Sequence, residues 1–182
     1  MTTALNYIHL SVSDSTSSYL RNGAGSLPAF TVVSAEYQTG GRGRGANRWE
    51  CPRNGGALFS VLLPKLQGCP QSASEHFSLL AAETIAGWLR RKYRVDAVVK
   101  PPNDVLVGGR KICGILLEEA GDRLILGVGL NTNLDASLLP LKGGYGAVSL
   151  RNLSGGEFDN RAIVEELAPE LLVGLEYTQP SC

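Results

Sequence analysis

Short runs of apolar residues, each ending in glycine, proline or a polar turn residue, recur along most of the chain. Residues 7–12 alternate polar and aliphatic side chains, which is the period of a strand with one buried face. Gly108-Gly109 and Gly121-Asp122 are turn sequences typical of hairpins. The pattern predicts strands over residues 7–12, 30–37, 58–63, 97–100, 105–107, 111–119 and 124–130.

One segment, residues 73–93, has the period of a long helix with a single buried face. Ser72 and Glu75 have the spacing of a capping box at its start. Three basic residues near its end suit the negative end of the helix dipole. The side chains predicted to be buried are Phe77, Leu80, Ala81, Thr84, Ile85, Trp88 and Leu89.

Two shorter helices and a long loop complete the predicted elements. Asp14-Ser15-Thr16 supplies capping side chains for a helix that ends at about residue 21. Residues 160–177 are expected to be helical, and Pro169 to kink or end that helix. A glycine- and leucine-rich loop is predicted over residues 133–156. This order is typical of an α+β domain, a mixed, largely antiparallel β-sheet layered with helices.

Composition then narrows the function classes. With 182 residues, 43% of them hydrophobic, the chain can form one domain with a substantial core. Its 17 Lys and Arg balance 17 Asp and Glu, whereas a dedicated nucleic-acid-binding protein usually carries a basic excess. No apolar run is long enough to span a membrane, and the N-terminus lacks the layout of a signal peptide. Four cysteines without C-x-x-C spacing are typical of a reduced, cytoplasmic protein.

The most distinctive chemistry lies in residues 40–49, here named the arginine loop. They are Gly40-Gly41-Arg42-Gly43-Arg44-Gly45-Ala46-Asn47-Arg48-Trp49. Glycine lets the main chain approach a ligand closely, and arginine binds phosphate and carboxylate. The segment matches neither a P-loop nor a dinucleotide-binding fingerprint. It therefore indicates an anion site of another kind, unless it is simply a solvated, flexible loop.

Two further segments place polar residues at the ends of predicted strands. Asn103-Asp104 follows two prolines, where an ordinary Asx turn is the alternative to a functional site. Lys111 opens an otherwise apolar strand, a position from which a lysine can simply reach water. Gly114 within that strand indicates a bulge or a close approach by a ligand. Residues 127–133 add two strand glycines and then two asparagines.

From Asp14 to about Asn133, these segments resemble the biotin protein ligase family. Its usual motifs are S-T-N, E-x-Q-x-x-G-R-G-R with a following W, K-W-P-N-D, G-x-K-x-x-G-I-L-x-E and G-I-G-x-N. Five corresponding blocks occur here in the same order, which makes the resemblance specific. They are Asp14-Ser15-Thr16-Ser17, Glu36-Tyr37-Gln38 with Gly41-Arg42-Gly43-Arg44 and Trp49, Lys100-Pro101-Pro102-Asn103-Asp104, Lys111-Ile112-Cys113-Gly114-Ile115-Leu116-Leu117-Glu118, and Gly127-Val128-Gly129-Leu130-Asn131.

The chain also departs from the family pattern. Ser17 replaces the usual asparagine and Pro101 the usual tryptophan, and we interpret both as local repacking. Members of the family commonly end with a small β-barrel domain, and some begin with a helix-turn-helix. Because the first predicted strand starts at Tyr7 and few residues follow Asn131, we expect the catalytic domain alone, with neither addition.

The resemblance implies a class II aminoacyl-tRNA synthetase/biotin synthetase-like fold and a two-step reaction. The carboxylate of biotin attacks the α-phosphate of ATP, giving biotinyl-5′-AMP and pyrophosphate. A lysine of a biotin carboxyl carrier protein then accepts the biotin. ATP and biotin are the implied substrates, and Mg²⁺ is the implied cofactor. Because the first step brings two anions together, cationic side chains are the expected machinery.

The same resemblance assigns roles to individual residues. Lys111 and Arg44 are the expected catalytic residues, Lys111 on the biotin carboxylate and Arg44 on the phosphate. Trp49 is expected to stack on adenine, and Asn103 or Asp104 to contact Mg²⁺, which binds chiefly through phosphates. The implied biotin-binding residues are Ser15, Thr16, Gln38, Gly41, Arg42, Lys111, Gly114 and Ile115. The implied ATP- and adenylate-binding residues are Arg42, Arg44, Asn47, Trp49, Asn103, Asp104 and Asn131.

Several alternatives stay open at the level of sequence. A lipoate or octanoate ligase or transferase would share the fold, but is expected to lack the combination of G-R-G-R and K-x-P-N-D. A non-catalytic biotin-binding protein, a pseudo-enzyme and a nucleic-acid-binding module are the others, and the neutral net charge disfavours the last. We expect a cytoplasmic protein with no nucleic-acid or membrane partner, and a homodimer is compatible with the family.

Overall fold

The computed structural model describes residues 4–64, 73–138 and 146–176, and within these ranges seven strands form a single sheet. The strands are β1 Asn6–Leu10, β2 Thr31–Ala35, β3 Gly56–Pro64, β4 Ala97–Lys100, β5 Asp104–Val107, β6 Arg110–Ala120 and β7 Arg123–Asn131. Their order across the sheet is β1-β2-β3-β7-β6-β5-β4. β1 and β2 are parallel, and all other neighbours are antiparallel. The predicted mixed, largely antiparallel sheet is confirmed.

The described helices lie on both faces of this sheet. They are α1 Thr16–Gly23, α2 Ala73–Tyr93, α3 Leu150–Ser154 and α4 Asn160–Glu176, with a 3₁₀ turn at Ala136–Leu138. α2 has the predicted bounds, and the capping residue proposed for it, Ser72, lies outside the described residues. Ser15 is the N-cap of α1, but its side chain makes no capping hydrogen bond.

The main hydrophobic core lies between one face of the sheet and the pair α2 and α4. Phe59 and Val61 of β3 point into it and are buried, as are Trp88 of α2 and Leu167 of α4. Alternation along β3 sends the intervening residues to the opposite face. The core therefore fixes which side chains of the central strands face the rest of the molecule.

In the described part of the chain, α1 covers only part of the opposite face of the sheet. Leu20 of α1 packs on a small buried cluster of Val33, Leu62 and Ile125, one residue from each of β2, β3 and β7. Further along the same strands, the side chains facing outward become small or polar. This uncovered part of the face is where the candidate site lies.

Two sequence-based predictions are corrected by the structure. α4 continues through Pro169 to Glu176 instead of ending there. Proline at 169 leaves the carbonyl of Glu165 without its usual helical donor, and the hydroxyl of Tyr7 donates to that carbonyl at 3.5 Å. The loop predicted over residues 133–156 contains α3, whose N-cap Ser149 accepts a hydrogen bond from the amide of Asn152 at 3.1 Å.

In the part of the chain that the structure describes, no helix is long and apolar enough to cross a membrane.

Glu166 gives the contact between α2 and α4 a testable pH dependence. It accepts hydrogen bonds from Lys92 and from Trp88 Nε1, the latter at 3.0 Å, and these bonds, chiefly that from Lys92, hold its pKa below 4.5. Such a carboxylate stabilises the fold above its unfolded pKa, and the stabilisation is lost as the pH falls through the folded pKa. We expect Glu166→Gln to lower the free energy of unfolding at neutral pH, with the loss vanishing in acid.

Urea unfolding followed by tryptophan fluorescence measures this difference between wild type and variant. Glu165→Gln is the matched control on the same helix, because it removes only the exposed pair with Arg161, which contributes little. A difference for Glu166→Gln that stays constant from neutral to acid pH would contradict the assignment.

Candidate active site

The floor of the site is a strip of sheet with almost no side chains. One register row crosses five strands through Ala35, Leu58, Gly129, Gly114 and Asp104. The two glycines are direct partners on β7 and β6, so the main chain itself is exposed at the centre of the row. The neighbouring row on the same face contains a third glycine, Gly127, which pairs with Ser60 and Leu116.

An irregularity beside this floor brings Lys111 to the same face. The register between β5 and β6 shifts at Val105/Leu106, so that Lys111 pairs with Leu106 while Cys113 pairs with Val105. A bulge of this kind interrupts the strict alternation of faces. As a result Lys111 lies beside Gly114, and its Nζ is 2.6 Å from Oδ1 of Asp104.

The main chain of Lys111 is held by a segment that lies within the predicted loop. Its N–H donates to the carbonyl of Gly146 at 2.8 Å, and its carbonyl accepts from the N–H of Val148 at 2.9 Å. The side-chain amide of Asn131 also donates to the carbonyls of Lys111 and Val148, at 3.2 and 3.1 Å. Asn131, predicted as a nucleotide contact, therefore also has a structural role.

A hydrogen-bonded group of polar side chains forms one wall. Oε1 of Gln38 accepts from the N–H of Thr16 at 2.8 Å and from its hydroxyl at 3.2 Å. The Ser60 hydroxyl is hydrogen-bonded to those of Thr16 and Ser17, at 2.8 and 3.0 Å. Ser60 is fully buried and was missed at the sequence level, where a single serine inside an apolar strand was its signal. Ser17, the departure from the family motif, belongs to this group.

The arginine loop closes on itself above the floor. The N–H of Trp49 donates to the carbonyl of Gly41 at 3.1 Å, and that of Gly43 to the carbonyl of Asn47 at 2.9 Å. A Cβ on Gly41 would lie 2.3 Å from the carbonyl oxygen of Trp49, which only glycine avoids. Gly41 is thus a backbone requirement of the loop, and it does not line the cavity itself.

Each arginine of the loop has an oxygen partner. Arg42 pairs with Glu118 of β6, and Arg44 with Glu75 of α2 at 3.3 Å. The Arg48 guanidinium donates to the carbonyl of Thr39 at 3.0 Å. Lys111 is paired with Asp104 in the same way. The three cationic side chains predicted to act on substrate, Arg42, Arg44 and Lys111, are therefore each paired with a carboxylate.

The ring of Trp49 lies on the glycine floor, and its stacking on adenine stays a prediction. A Cβ at Gly129 would lie 2.5 Å from its ring and one at Gly114 would lie 2.8 Å away, so the indole rests on the glycine floor. Lys111 Nζ stands 5.4 Å from the ring centroid, and the buried indole Nε1 has no hydrogen-bond partner among the described residues. The floor was predicted to hold biotin, and the bare main chain there also leaves room for the ring.

These elements enclose a cavity of about 430 Å³. All of the predicted site residues line it except Gly41. Asn103 is fixed there by a hydrogen bond from its amide to the carbonyl of Ile115 at 2.7 Å. The sequence-predicted residues that the fold brings together are Ser15, Thr16, Gln38, Arg42, Arg44, Asn47, Trp49, Asn103, Asp104, Lys111, Gly114, Ile115 and Asn131.

Neither thiol near the cavity is suited to nucleophilic catalysis. Burial raises the pKa of Cys51 to about 12 and raises that of Cys113 further still. Both thiols are free and buried. Among the described residues, no group of three or more His, Cys, Asp or Glu side chains could hold a metal ion. The available chemistry is therefore that of cations, hydroxyls and amides around a small cavity.

Comparison with known proteins identifies the family. The Biotin/lipoate A/B protein ligase family matches residues 10–135, which include the floor, the polar wall and the arginine loop. The chain belongs to this family.

Individual members of the biotin/lipoate ligase family show the extent of the similarity. The bifunctional ligase/repressor BirA of Escherichia coli is 31% identical over 92% of this chain and 52% of its own length. A biotin–[acetyl-CoA-carboxylase] ligase of Paracoccus denitrificans is 32% identical over 88% of this chain and 69% of its own. Among the BirA relatives from Bacillus, this chain spans 44% of the protein, so it covers about half of several curated relatives.

Solved structures agree with this assignment. A biotin protein ligase from Aquifex aeolicus in complex with biotin and ATP superimposes with a TM-score of 0.81 at 26% identity, over 94% of this chain and 70% of that one. A protein of unknown function from Pyrococcus horikoshi shares the fold over 95% of its length at 14% identity, with a TM-score of 0.65. The predicted fold class is confirmed.

We expect Gly41→Ala to open the arginine loop without disturbing the sheet. The new methyl group collides with main chain, which cannot yield as a flexible side chain can. Hydrogen–deuterium exchange should then accelerate in peptides covering residues 41–49 and stay unchanged in β3 and β7. Gly25→Ala is the matched control, since a Cβ there meets nothing within 4 Å. Unaltered exchange in the loop of the Gly41 variant would contradict the steric argument.

Proposed function

We propose that this chain is an ATP-dependent biotin protein ligase. It forms biotinyl-5′-AMP and transfers the biotin to a lysine of a biotin carboxyl carrier protein. The observation that supports this best is Lys111, which the bulge in β6 directs into a glycine-floored cavity beside two loop arginines. The similarity to biotin protein ligases supports the same conclusion.

The polar wall suits the ureido ring of biotin. Its carbonyl and two N–H groups need both donors and acceptors within a small pocket. Ser15, Thr16 and Gln38 provide hydroxyl and amide groups, and Ser60 fixes the orientation of the Thr16 hydroxyl. The main chain at Gly114 and Ile115 would support the bicyclic ring from below.

The cations suit the adenylation step. An oxygen of the biotin carboxylate attacks the α-phosphorus of ATP, and pyrophosphate leaves with the bonding electron pair. Lys111 would neutralise the carboxylate and the acyl-phosphate oxygens, and Arg42 and Arg44 the phosphates. Asn47, Trp49, Asn103 and Asn131 line the remaining part of the cavity, where the nucleotide would lie. Such positioning and charge neutralisation are the protein's main contributions.

In the transfer step, the amine of the acceptor lysine attacks the acyl carbon of biotinyl-AMP. AMP leaves with the electron pair of the broken C–O bond, and the amine loses a proton as the amide forms. That proton would pass to solvent, and Asp104, which contacts Lys111, is one of the carboxylates that line the cavity. The closed arginine loop would limit access of water to this reactive intermediate.

Mg²⁺ fits this site only as an ion carried by the nucleotide. Asp104 is already paired with Lys111, and the amide of Asn103 is bonded to the main chain. Asn103 or Asp104 could hold water molecules of a magnesium ion bound through the phosphates, where it would offset their charge.

The alternatives are less well supported by the site. The family also includes lipoate ligases, but the apolar dithiolane ring of lipoate has no use for the hydroxyl and amide groups of the polar wall. A non-catalytic biotin-binding protein would have no need for cations positioned at the nucleotide end.

A cytoplasmic location suits the two free thiols and the carboxylase partner. A homodimer stays a prediction.

One experiment tests the proposed function directly. The protein is mixed with biotin, Mg-ATP and an apo biotin carboxyl carrier domain, and mass spectrometry reports the mass added to the acceptor lysine. Lipoate and octanoate in place of biotin are the controls. Addition of biotin alone supports the proposal, whereas addition of lipoate alone, or no pyrophosphate release with any acid, overturns it.

We expect Lys111→Ala to reduce adenylate formation by roughly a hundredfold or more, as for loss of a transition-state donor. Pyrophosphate release measures the first step without requiring a carrier. The substitution also leaves Asp104 without its lysine partner, so the double variant Lys111→Ala/Asp104→Asn serves as control. A wild-type rate in Lys111→Ala would contradict the assigned role.

We expect Arg44→Gly to release biotinyl-AMP into solution and to raise labelling of unrelated lysines. Arg44 pairs only with the exposed Glu75 in the described structure, so its loss should leave the fold intact. The ratio of biotin on serum albumin to biotin on the carrier domain, compared at equal pyrophosphate release, measures how much adenylate escapes into solution. Retention of the adenylate at the wild-type level would argue against a role for Arg44 on the phosphate.

A further inference from the structure

Glu118 lies on the site face of the sheet but away from the cavity. It is two residues from Leu116 and four from Gly114 on β6, and it pairs across the sheet with Ile125 of β7. Its row continues to Leu62, part of the cluster under α1. Its side chain is only 18% exposed, which is low for a carboxylate. A charge in such a position requires partners.

The two oxygens of Glu118 are shared between arginines from different elements. Oε1 accepts from Arg21 of α1 at 3.1 Å, and Oε2 accepts from Arg42 of the arginine loop. Arg21 also donates to the carbonyl of Glu119 at 2.9 Å, which fixes its guanidinium against β6. The carboxylate therefore joins three pieces of the site: a central strand, the helix that begins with Thr16, and the loop.

This connection is stronger than the other ion pair of the loop. Arg44 and Glu75 are 51% and 67% exposed, so water screens their pair. Glu118 is the more shielded carboxylate, and hydrogen bonds to charged groups are worth more when they are less hydrated. Of the two ion pairs described for the loop, the one with Glu118 therefore restrains it more.

We propose that Glu118 is a positioning residue that holds the arginine loop closed over the cavity through Arg42, with Arg21 fixing the carboxylate in place. Neither Glu118 nor Arg21 lines the cavity, so neither is expected to touch substrate. The closing role itself does not depend on which reaction the site performs. Its effect on catalysis rests on the proposed ligase function.

Limited proteolysis with trypsin tests the loop directly, because the loop contains Arg42, Arg44 and Arg48 as cleavage sites. When opening is fast, the cleavage rate follows the population of the open loop. We expect Glu118→Gln to accelerate cleavage within residues 42–48 roughly tenfold, as for loss of one charge-assisted contact. Glu165→Gln, which breaks an exposed pair on α4, should leave that rate unchanged.

A double-variant comparison separates positioning from general destabilisation. If Glu118 acts through Arg42, then Glu118→Gln adds nothing to cleavage after Arg44 and Arg48 in a chain that already carries Arg42→Gln. If it merely weakens the sheet, cleavage accelerates in both backgrounds. Equal acceleration in both backgrounds, or wild-type cleavage in Glu118→Gln, overturns the proposal. This comparison also decides the matter if the single variant proves unstable.

The reaction gives a second, separate measurement. Glu118→Gln should keep most of its pyrophosphate release, lose carrier labelling and gain labelling of unrelated lysines, since the adenylate escapes from an open loop. Arg21→Gln should also lower carrier labelling and raise labelling of unrelated lysines, but to a smaller extent than Glu118→Gln. If no acid supports pyrophosphate release in the wild type, the ligase function fails, while the proteolysis result still decides the role of Glu118.

Discussion

The site depends on a patch of β-sheet that carries no side chains. Gly114 and Gly129 face each other on neighbouring strands, with Gly127 in the next row, and the main chain is bare there. A methyl group at either paired position would collide with the ring of Trp49. The sheet stays rigid there because its other face is fixed by the core under α2 and α4. A rigid, bare surface backed by a packed core is what a flat bicyclic ligand or an indole requires.

Charge is the second constraint on the site. Two unit charges of like sign 4 Å apart repel by roughly 4 kcal/mol near a protein surface, so cations gathered around one small cavity must be balanced. Here the balancing carboxylates come from three different elements, which are β6 for Arg42, α2 for Arg44 and β5 for Lys111. Their exposure decreases from Glu75 to Glu118 to Asp104. Of the three carboxylates, that of Glu75 is therefore the easiest for a bound anion to replace.

Much of the fold was accessible from the sequence because local signals and tertiary structure agree. The periodic helix over Ala73–Tyr93 and the strands around Gly108-Gly109 and Gly121-Asp122 have their predicted places. The residues predicted for the site, apart from Gly41, also lie together around one cavity. The failures have tertiary causes. Pro169 stays within α4, with a tyrosine hydroxyl from a distant strand on the carbonyl it leaves without a donor. Ser60 gained its role from the register that places it opposite Gly127, and periodicity does not encode register.

The bulge between β5 and β6 has a consequence for how this protein tolerates genetic change. Lys111 lies on the cavity face because β6 accommodates one extra residue between Lys111 and Gly114. Loss of a single codon between Lys111 and Gly114 would preserve every charged side chain in the chain. The lysine would then stand two residues before Gly114, so regular alternation alone would keep it on the cavity face without a bulge. In the other strands, loss of one residue would move the following side chains to the wrong face of the sheet. Between Lys111 and Gly114 it would remove one buried side chain, Ile112 or Cys113, and leave the lysine in the cavity, so a one-residue deletion should be survived more easily here than elsewhere in the sheet.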